Sequence, residues 1–336
     1  MNKIETQDRL LKRYDMTLSV IEAEMTKLYG ERYTEYRRRY ALAGEFQYEP
    51  EFPLYLMLEQ TYRCDLKCPS CIHGLLEYKR RFNTDYNVMP RNLFEQIILE
   101  GEQYNCPSIA FHSNDEPLLL KDLSDRVAFA KKHGFMDLFI ATNGNLLNPR
   151  VMKSLIEAGI TRILFSIDAA TSETYEKVRP FGNFSLVMNN LNDLLEYKKS
   201  KRLILPAVRV SFVVNKFNIH ELKLFIKTFS KLVDYVEIQG FSAYYNTNTY
   251  LIAQGMEHVK NFACNEPWRK LIIRANGDVL PCCSFYGYEV VLGNILRESL
   301  KDIFNAYQYH QLRHDFKKCI YRLSSCLACS KSLYRI

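Results

Sequence analysis

Between Phe52 and Gln239 six short apolar runs of strand length alternate, through turns, with longer stretches whose apolar residues recur at helical spacing. The strand segments read as Leu54–Leu58, Ser108–His112, Asp137–Thr142, Arg162–Ile167, Ala207–Val214 and Tyr235–Gln239. The helical stretches read as Asn92–Tyr104, Leu120–His133, Pro149–Ala158, Ser172–Val178 with Leu186–Ser200, and Ile219–Leu232. Pro90, Gly134, Asn143-Gly144 and Gly159 punctuate the boundaries. Strands alternating with helices through short connections make a parallel sheet with helices outside. The expected fold is α/β, a partial (βα)6 TIM barrel. With six units rather than eight it stays open on one side, and its functional residues belong at the carboxyl ends of the strands.

Two flanks differ in character. Residues 1–50 read as a helical extension of two charged helices, with Leu10, Leu11, Tyr14, Leu18, Ile21 and Met25 at helical spacing and a break at Tyr29-Gly30. They form either a helical cap on the barrel or a docking surface for a partner or peptide. After a barrel over 51–245, residues 246–336 read as a small α+β unit dense in cysteine. There Asn276-Gly277 turns a hairpin between Arg269–Arg274 and Asp278–Leu280, and Glu298–Phe316 reads as a helix. Composition adds exclusions. No apolar run approaches eighteen residues, so no membrane span is expected. The N-terminus lacks a signal-peptide core, which points to the cytoplasm and to ten cysteines kept as thiols or metal ligands. A net charge of +7 is mild for 336 residues; it does not by itself argue for nucleic acid, and it is compatible with an acidic small molecule or with negatively charged cofactors.

The first strand runs into Cys64-Asp-Leu-Lys-Cys68-Pro-Ser-Cys71. Three thiols this close can share one metal centre. Zinc wants four protein ligands, whereas an iron–sulfur cluster held by three cysteines keeps one iron open. Downstream lie Cys264, Cys282, Cys283, Cys319, Cys326 and Cys329. By spacing alone, two distant cysteines plus a CxxC pair suit a structural zinc as well as a cluster.

The Cys64-x3-Cys68-x2-Cys71 loop resembles the signature of the radical S-adenosylmethionine (SAM) superfamily, and the resemblance runs from about residue 52 to the end. It implies that the three thiolates hold a four-iron four-sulfur cluster whose open iron chelates SAM. A reductant such as flavodoxin or ferredoxin would supply the electron that releases a 5′-deoxyadenosyl radical. It also assigns cofactor contacts. Asn114-Asp-Glu116-Pro117 stands where members carry Gly-Gly-Glu-Pro, so Glu116 is kept and two glycines are replaced. Ser166 and Asp168 look like the pair that reaches the SAM ribose, Asp168 being alternatively a helix N-cap before Thr171. Arg209 and Ser211 are candidates for the SAM carboxylate, or plain strand residues. Ser70 replaces the aromatic residue usual before the third cysteine, so adenine packing must come from elsewhere. The tail resembles the SPASM/twitch auxiliary-cluster domains. The one-cluster twitch form would use Cys264, Cys282, Cys326 and Cys329, with Cys319 or Cys283 as substitutes. Two 4Fe-4S clusters and SAM are thus the implied cofactors.

The reaction is not written in the cluster motif. An auxiliary cluster that accepts an electron implies dehydrogenation of a sugar, aminocyclitol or other small polar metabolite. A thiol hydrogen donor, with Cys283 the nearest, implies epimerisation instead. A ribosomally made peptide docked on residues 1–50 is the third reading. Candidate bases or substrate contacts at the strand ends are His73, His112, Gln239 and Tyr244, with Lys79-Arg80-Arg81 in the loop after the cluster. Cys106, before the second strand, belongs in the core.

Overall fold

The computed structural model describes residues 5–75, 88–245 and 247–336. Strand β1 (Leu11–Asp15) and helices α1 (Leu18–Tyr29) and α2 (Glu31–Gly44) come first. Six strands follow: β2 (Tyr55–Leu58), β3 (Ser108–Ala110), β4 (Asp137–Thr142), β5 (Arg162–Ser166), β6 (Ala207–Val213) and β7 (Tyr235–Gln239). Between them run α3 (Arg91–Gln103), α4 (Leu123–Lys132), α5 (Pro149–Ala158), α6 (Ser172–Val178), α7 (Phe184–Lys201) and α8 (Leu222–Phe229). The six strands lie parallel in chain order, the expected partial barrel.

Both edges of that barrel sheet are covered. On one side β1 pairs antiparallel with β7, setting Arg13 opposite Glu237. On the other, β10 (Lys270–Ile273) pairs parallel with β2, and β11 (Asp278–Leu280) and β12 (Gly293–Asn294) continue antiparallel. One ten-stranded sheet therefore runs from the N-terminal segment into the cysteine-rich region. A second sheet joins β8 (Phe241–Ser242), β13 (Leu333–Arg335) and β9 (Glu257–His258), with β13 in the middle.

Three sequence expectations need correction. The helical pattern from Leu10 does not make one helix: residues 11–15 are β1, and the helix starts at Leu18. The helix expected over Glu298–Phe316 is two, α9 (Leu300–Asn305) and α10 (Tyr307–Lys317), broken where Ala306 is extended with ψ 150°. Asp168 does not cap the helix after β5. Thr171 does, its hydroxyl accepting from the Thr174 amide, while Glu221 accepts from the Ala170 and Thr171 amides. The hairpin at Gly277 is as expected, with φ +86° at the turn.

The core follows strand alternation. In β6, Val208, Val210 and Phe212 pack under the helices in the main apolar cluster. Arg209 and Val213 turn the other way, towards the barrel interior. Tyr55, Phe139, Arg162, Glu237 and Lys270 do the same on their own strands. The interior therefore mixes these polar side chains with a smaller apolar cluster that includes Tyr55, Met57, Ala110 and Ile272, and it encloses a cavity.

Candidate functional site

The cysteine loop leaves β2 at its carboxyl end and is tied down at several points. A buried Asp115 clamps its start: one carboxylate oxygen accepts from the Gln60 and Thr61 amides, both at 2.9 Å, and the other from Ser113 at 2.7 Å. Asp65, between the first two cysteines, accepts from Asn143 at 2.6 Å and Asn145 at 3.1 Å, which follow β4. Arg179, held by Asp168 at 2.5 Å, donates to Cys68 Sγ at 3.8 Å, and the Leu66 amide donates to Cys64 Sγ at 3.4 Å. Gly74 lets the loop close on itself, since a Cβ there would stand 2.1 Å from the Cys68 carbonyl. Burial pushes all three thiols up, Cys68 to about 12. Crowded, desolvated thiols with N–H donors aimed at sulfur fit a cationic metal centre, which deprotonates such ligands outright.

A second group gathers around the hairpin, supported by α11 (Ser324–Ser330). Burial comes first in raising Cys264, Cys282, Cys326 and Cys329; after it, Cys282 raises each of the other three. Cys282 itself is pushed to about 11. Gly287 leaves a cradle against it: a Cβ there would lie 2.5 Å from Cys282 Sγ. Among the described residues no three Cys, His, Asp or Glu side chains converge on a point for one metal ion. A four-iron cluster needs no such convergence, because each thiolate binds a different iron. Four thiols in this set can hold either a cluster, each on its own iron, or a zinc. Cys319 stands apart, burial being the sole cause that raises it.

Inside the barrel lies a cavity of about 720 Å³. Its walls include Tyr55, His112, Arg209, Gln239, Lys270 and Cys283. The N-terminal segment supplies another wall, through Arg13, Glu22, Tyr36, Arg37 and Tyr40. Cys283 faces this cavity while its neighbour Cys282 joins the four-thiol group. Gln239 also borders a smaller cleft of about 180 Å³ with Ser70, Val213, Phe285 and Tyr334. The two spaces share Gln7, Leu11 and Gln239 in their linings.

The predicted residues separate on these coordinates. His112 is buried on the cavity wall, its Nδ1 accepting the Ala141 amide at 2.9 Å. Burial, then Arg209 and Lys270, press its pKa down to about 3, against a weaker pull from the Phe139 carbonyl. Its ring is therefore neutral. Arg209 is paired with Glu237 at 3.0 Å, deeper in the barrel than the strand ends. Ser166 and Ser211 sit side by side where β5 meets β6. Asp168 is committed to Arg179 and to the Val213 amide. Glu116 is buried and accepts from Thr142, Leu118 and Asn143. Its carboxyl is pushed up to about 7, burial outweighing those donors.

Tyr244 is not brought to the cavity. Its ring is buried against Phe285 and Tyr286 and its hydroxyl donates to Glu289 at 2.6 Å. His73 is likewise buried, 2.5 Å from the Asn114 carbonyl. Cys106 is core, donating to the Pro53 carbonyl. Lys79-Arg80-Arg81 lies outside the described residues. Sequence reasoning missed Asp65, Arg179, Lys270 and Tyr55, and treated Asn114 and Asp115 only as departures. Asn114 donates to the Cys283 carbonyl at 2.9 Å, linking the β3 loop to the second thiol region. Asp65 and Asn143-Gly-Asn145 were visible as polar residues at strand ends; nothing in sequence joined them.

Comparison with known proteins agrees with this arrangement. A model of the radical SAM superfamily matches residues 58–229, and one of an iron–sulfur cluster-binding domain, SPASM, matches residues 264–330. A tungsten-containing aldehyde ferredoxin oxidoreductase cofactor-modifying protein of Pyrococcus furiosus is 27% identical over 82% of this chain and 87% of its own length. A probable GTP 3′,8-cyclase of Methanocaldococcus jannaschii is 28% identical, but the match spans only 50% of this chain and 52% of that protein. The solved structure of native anSMEcpe with bound AdoMet superposes with a TM-score of 0.61 and 18% identity, over 84% of this chain and 89% of that one. With its cysteine loop at the head of a parallel barrel and a second thiol group behind it, the chain belongs to the radical SAM superfamily and carries a C-terminal SPASM domain.

Proposed function

We propose that this enzyme dehydrogenates a small polar metabolite, such as a sugar or aminocyclitol, inside the barrel cavity. The observation that carries the reading is the cavity's position. Cys283, next in the chain to Cys282, is on its wall, and a separate cleft that shares Gln239 with it reaches Ser70. In this reading Cys64, Cys68 and Cys71 hold one 4Fe-4S cluster, and Cys264, Cys282, Cys326 and Cys329 hold a second, the one-cluster twitch form. Bound with SAM, these groups would supply hydrogen-atom abstraction and an electron acceptor.

The chain's own residues do the rest. Ser166, Ser211 and Asp168 meet the SAM ribose and carboxylate. Phe285 and Tyr334 in the small cleft take the adenine contact that Ser70 does not offer. Glu116 and Asp115 hold the loops that frame the site. The N-terminal segment supports a small substrate over a docked peptide, because its side chains line the cavity itself. A cytoplasmic reductant such as flavodoxin or ferredoxin would supply electrons. Among the described residues no helix is long and apolar enough to cross a membrane.

Anaerobic turnover with candidate metabolites tests this: 5′-deoxyadenosine should accumulate with a product lighter by two hydrogens. A second reading, epimerisation, is favoured by one observation, that Cys283 faces the cavity beside Lys270 and Tyr55. A product of the substrate's own mass in ordinary water, and one mass unit heavier in deuterated water from one deuterium at carbon, would select that reading, and Cys283→Ala would then abolish product while leaving iron content intact.

A further inference from the structure

The three sulfurs of the first cysteine loop are not served alike. Cys64 Sγ takes the Leu66 amide at 3.4 Å, and backbone N–H groups of His73 and Ile72 favour the Cys71 thiolate. Among the described residues only Cys68 receives a side-chain N–H, from Arg179 Nη1 at 3.8 Å. After burial, Arg179 is the largest influence on the Cys68 thiol, and it favours the thiolate.

Arg179 is fixed in place by what surrounds it. It follows directly on α6, and Asp168 takes its Nη2 at 2.5 Å while the other oxygen of Asp168 takes the Val213 amide at 2.8 Å. The turn after it rests on the cysteine loop, because the Lys67 amide donates to the Pro180 carbonyl at 3.4 Å. Its side chain is 12% exposed and Asp168 matches its charge, so what it offers the sulfur is an oriented N–H rather than a net field.

Two further donors are left over beside it. Arg179 Nε and Tyr175 Oη are both buried and without a hydrogen-bond partner. Tyr175 is 0% exposed and stands four residues before Arg179; after burial, Arg179 and then Cys68 are the groups that act on its hydroxyl. Gly182 closes over that hydroxyl, since a Cβ there would stand 2.9 Å from it. A buried donor without an acceptor is costly. The sulfurs of a four-iron cluster are acceptors, and hydrogen bonds to them are among the levers that set a cluster's potential.

We propose that Arg179 and Tyr175 set the reduction potential of the first cluster by donating to sulfur on its Cys68 side. This rests on the reading of Cys64, Cys68 and Cys71 as cluster ligands. The sign follows from charge. One electron from the reductant makes the cluster more negative and its sulfurs better acceptors, so these donors stabilise the reduced form and raise the potential.

The test is a redox titration of anaerobically purified holoenzyme without SAM, followed by electron paramagnetic resonance. The first cluster's signal is the one that Cys64→Ala removes. In Tyr175→Phe and in Arg179→Gln the ratio of reduced to oxidised first cluster at a fixed potential should fall about tenfold, 59 mV for a one-electron couple, with the other cluster's signal unmoved. Arg179→Lys keeps a cationic donor and should move it less. Tyr175→Phe removes a single oxygen atom, so it decides the matter where Arg179→Gln fails to hold iron. An unmoved or raised potential in Tyr175→Phe with full iron content overturns the proposal, and so does an equal shift of both signals. Wild-type protein with no signal that depends on Cys64 would instead defeat the cluster reading itself, and the proposal with it.

Discussion

At the scale of single residues, the site depends on side chains whose electrostatic state burial sets. His112 binds no proton in the folded protein until about pH 3, whereas the unfolded chain binds one near the ordinary histidine value of 6.5. Below that value the unfolded state holds the extra proton, so stability falls as pH drops through the window from 6.5 towards 3. The slope from this one group is at most about 1.4 kcal/mol per pH unit. Denaturation midpoints between pH 7 and 5 should fall less steeply in His112→Gln than in the wild type. Gly74 and Gly287 are constrained by contact instead. Gly287→Ala puts a methyl against Cys282 Sγ and should lower iron content by about half, read by metal analysis, with the barrel's secondary structure retained. The motif cysteines and Glu116 were legible as residues in the sequence. The depressed basicity of His112 was not, because it depends on burial and on Arg209 and Lys270, both distant in sequence.

At the scale of elements, the parallel strands were legible and β1 was not. The reason is physical. Strand patterns are read from apolar alternation, and β1 turns Leu11, Arg13 and Asp15 towards a polar cavity while Lys12 and Tyr14 face out. No apolar stripe marks it. Its pairing with β7 brings Arg13 onto Glu237, which is only 3% exposed. Removing Arg209 leaves that buried carboxylate with fewer compensating donors, so Arg209→Met should destabilise by roughly 3 kcal/mol in denaturant melts, and more than Arg13→Ala. The β3 loop behaves similarly. Asn114→Gly restores the residue type common to the superfamily but loses the bond to Cys283. Product formation should slow several-fold, while SAM affinity, read by equilibrium binding, stays within about twofold.

At the scale of the whole molecule, the division into a barrel and a cysteine-rich unit was readable from composition, and the sheet joining them was not. A strand near residue 270 gives no local sign that its neighbour is near residue 55; long-range parallel pairing leaves no trace in periodicity. The separation of the thiol groups does predict metal content. Cys64→Ala and Cys326→Ala should each remove about four of roughly eight irons, and the double variant nearly all, measured on anaerobically purified protein. If both single variants lose all iron, the two sites do not load independently.

The pairing of β10 with β2 also bears on how the chain can be cut. Tyr55–Leu58 is buried on both faces, and β10 is what covers its outer edge. A fragment ending near residue 250 would bare an apolar strand with its amides and carbonyls open to any passing chain. Such a fragment should aggregate on expression. During synthesis the same edge stays exposed until more than two hundred further residues have been made, which marks it as the place where a chaperone would be needed.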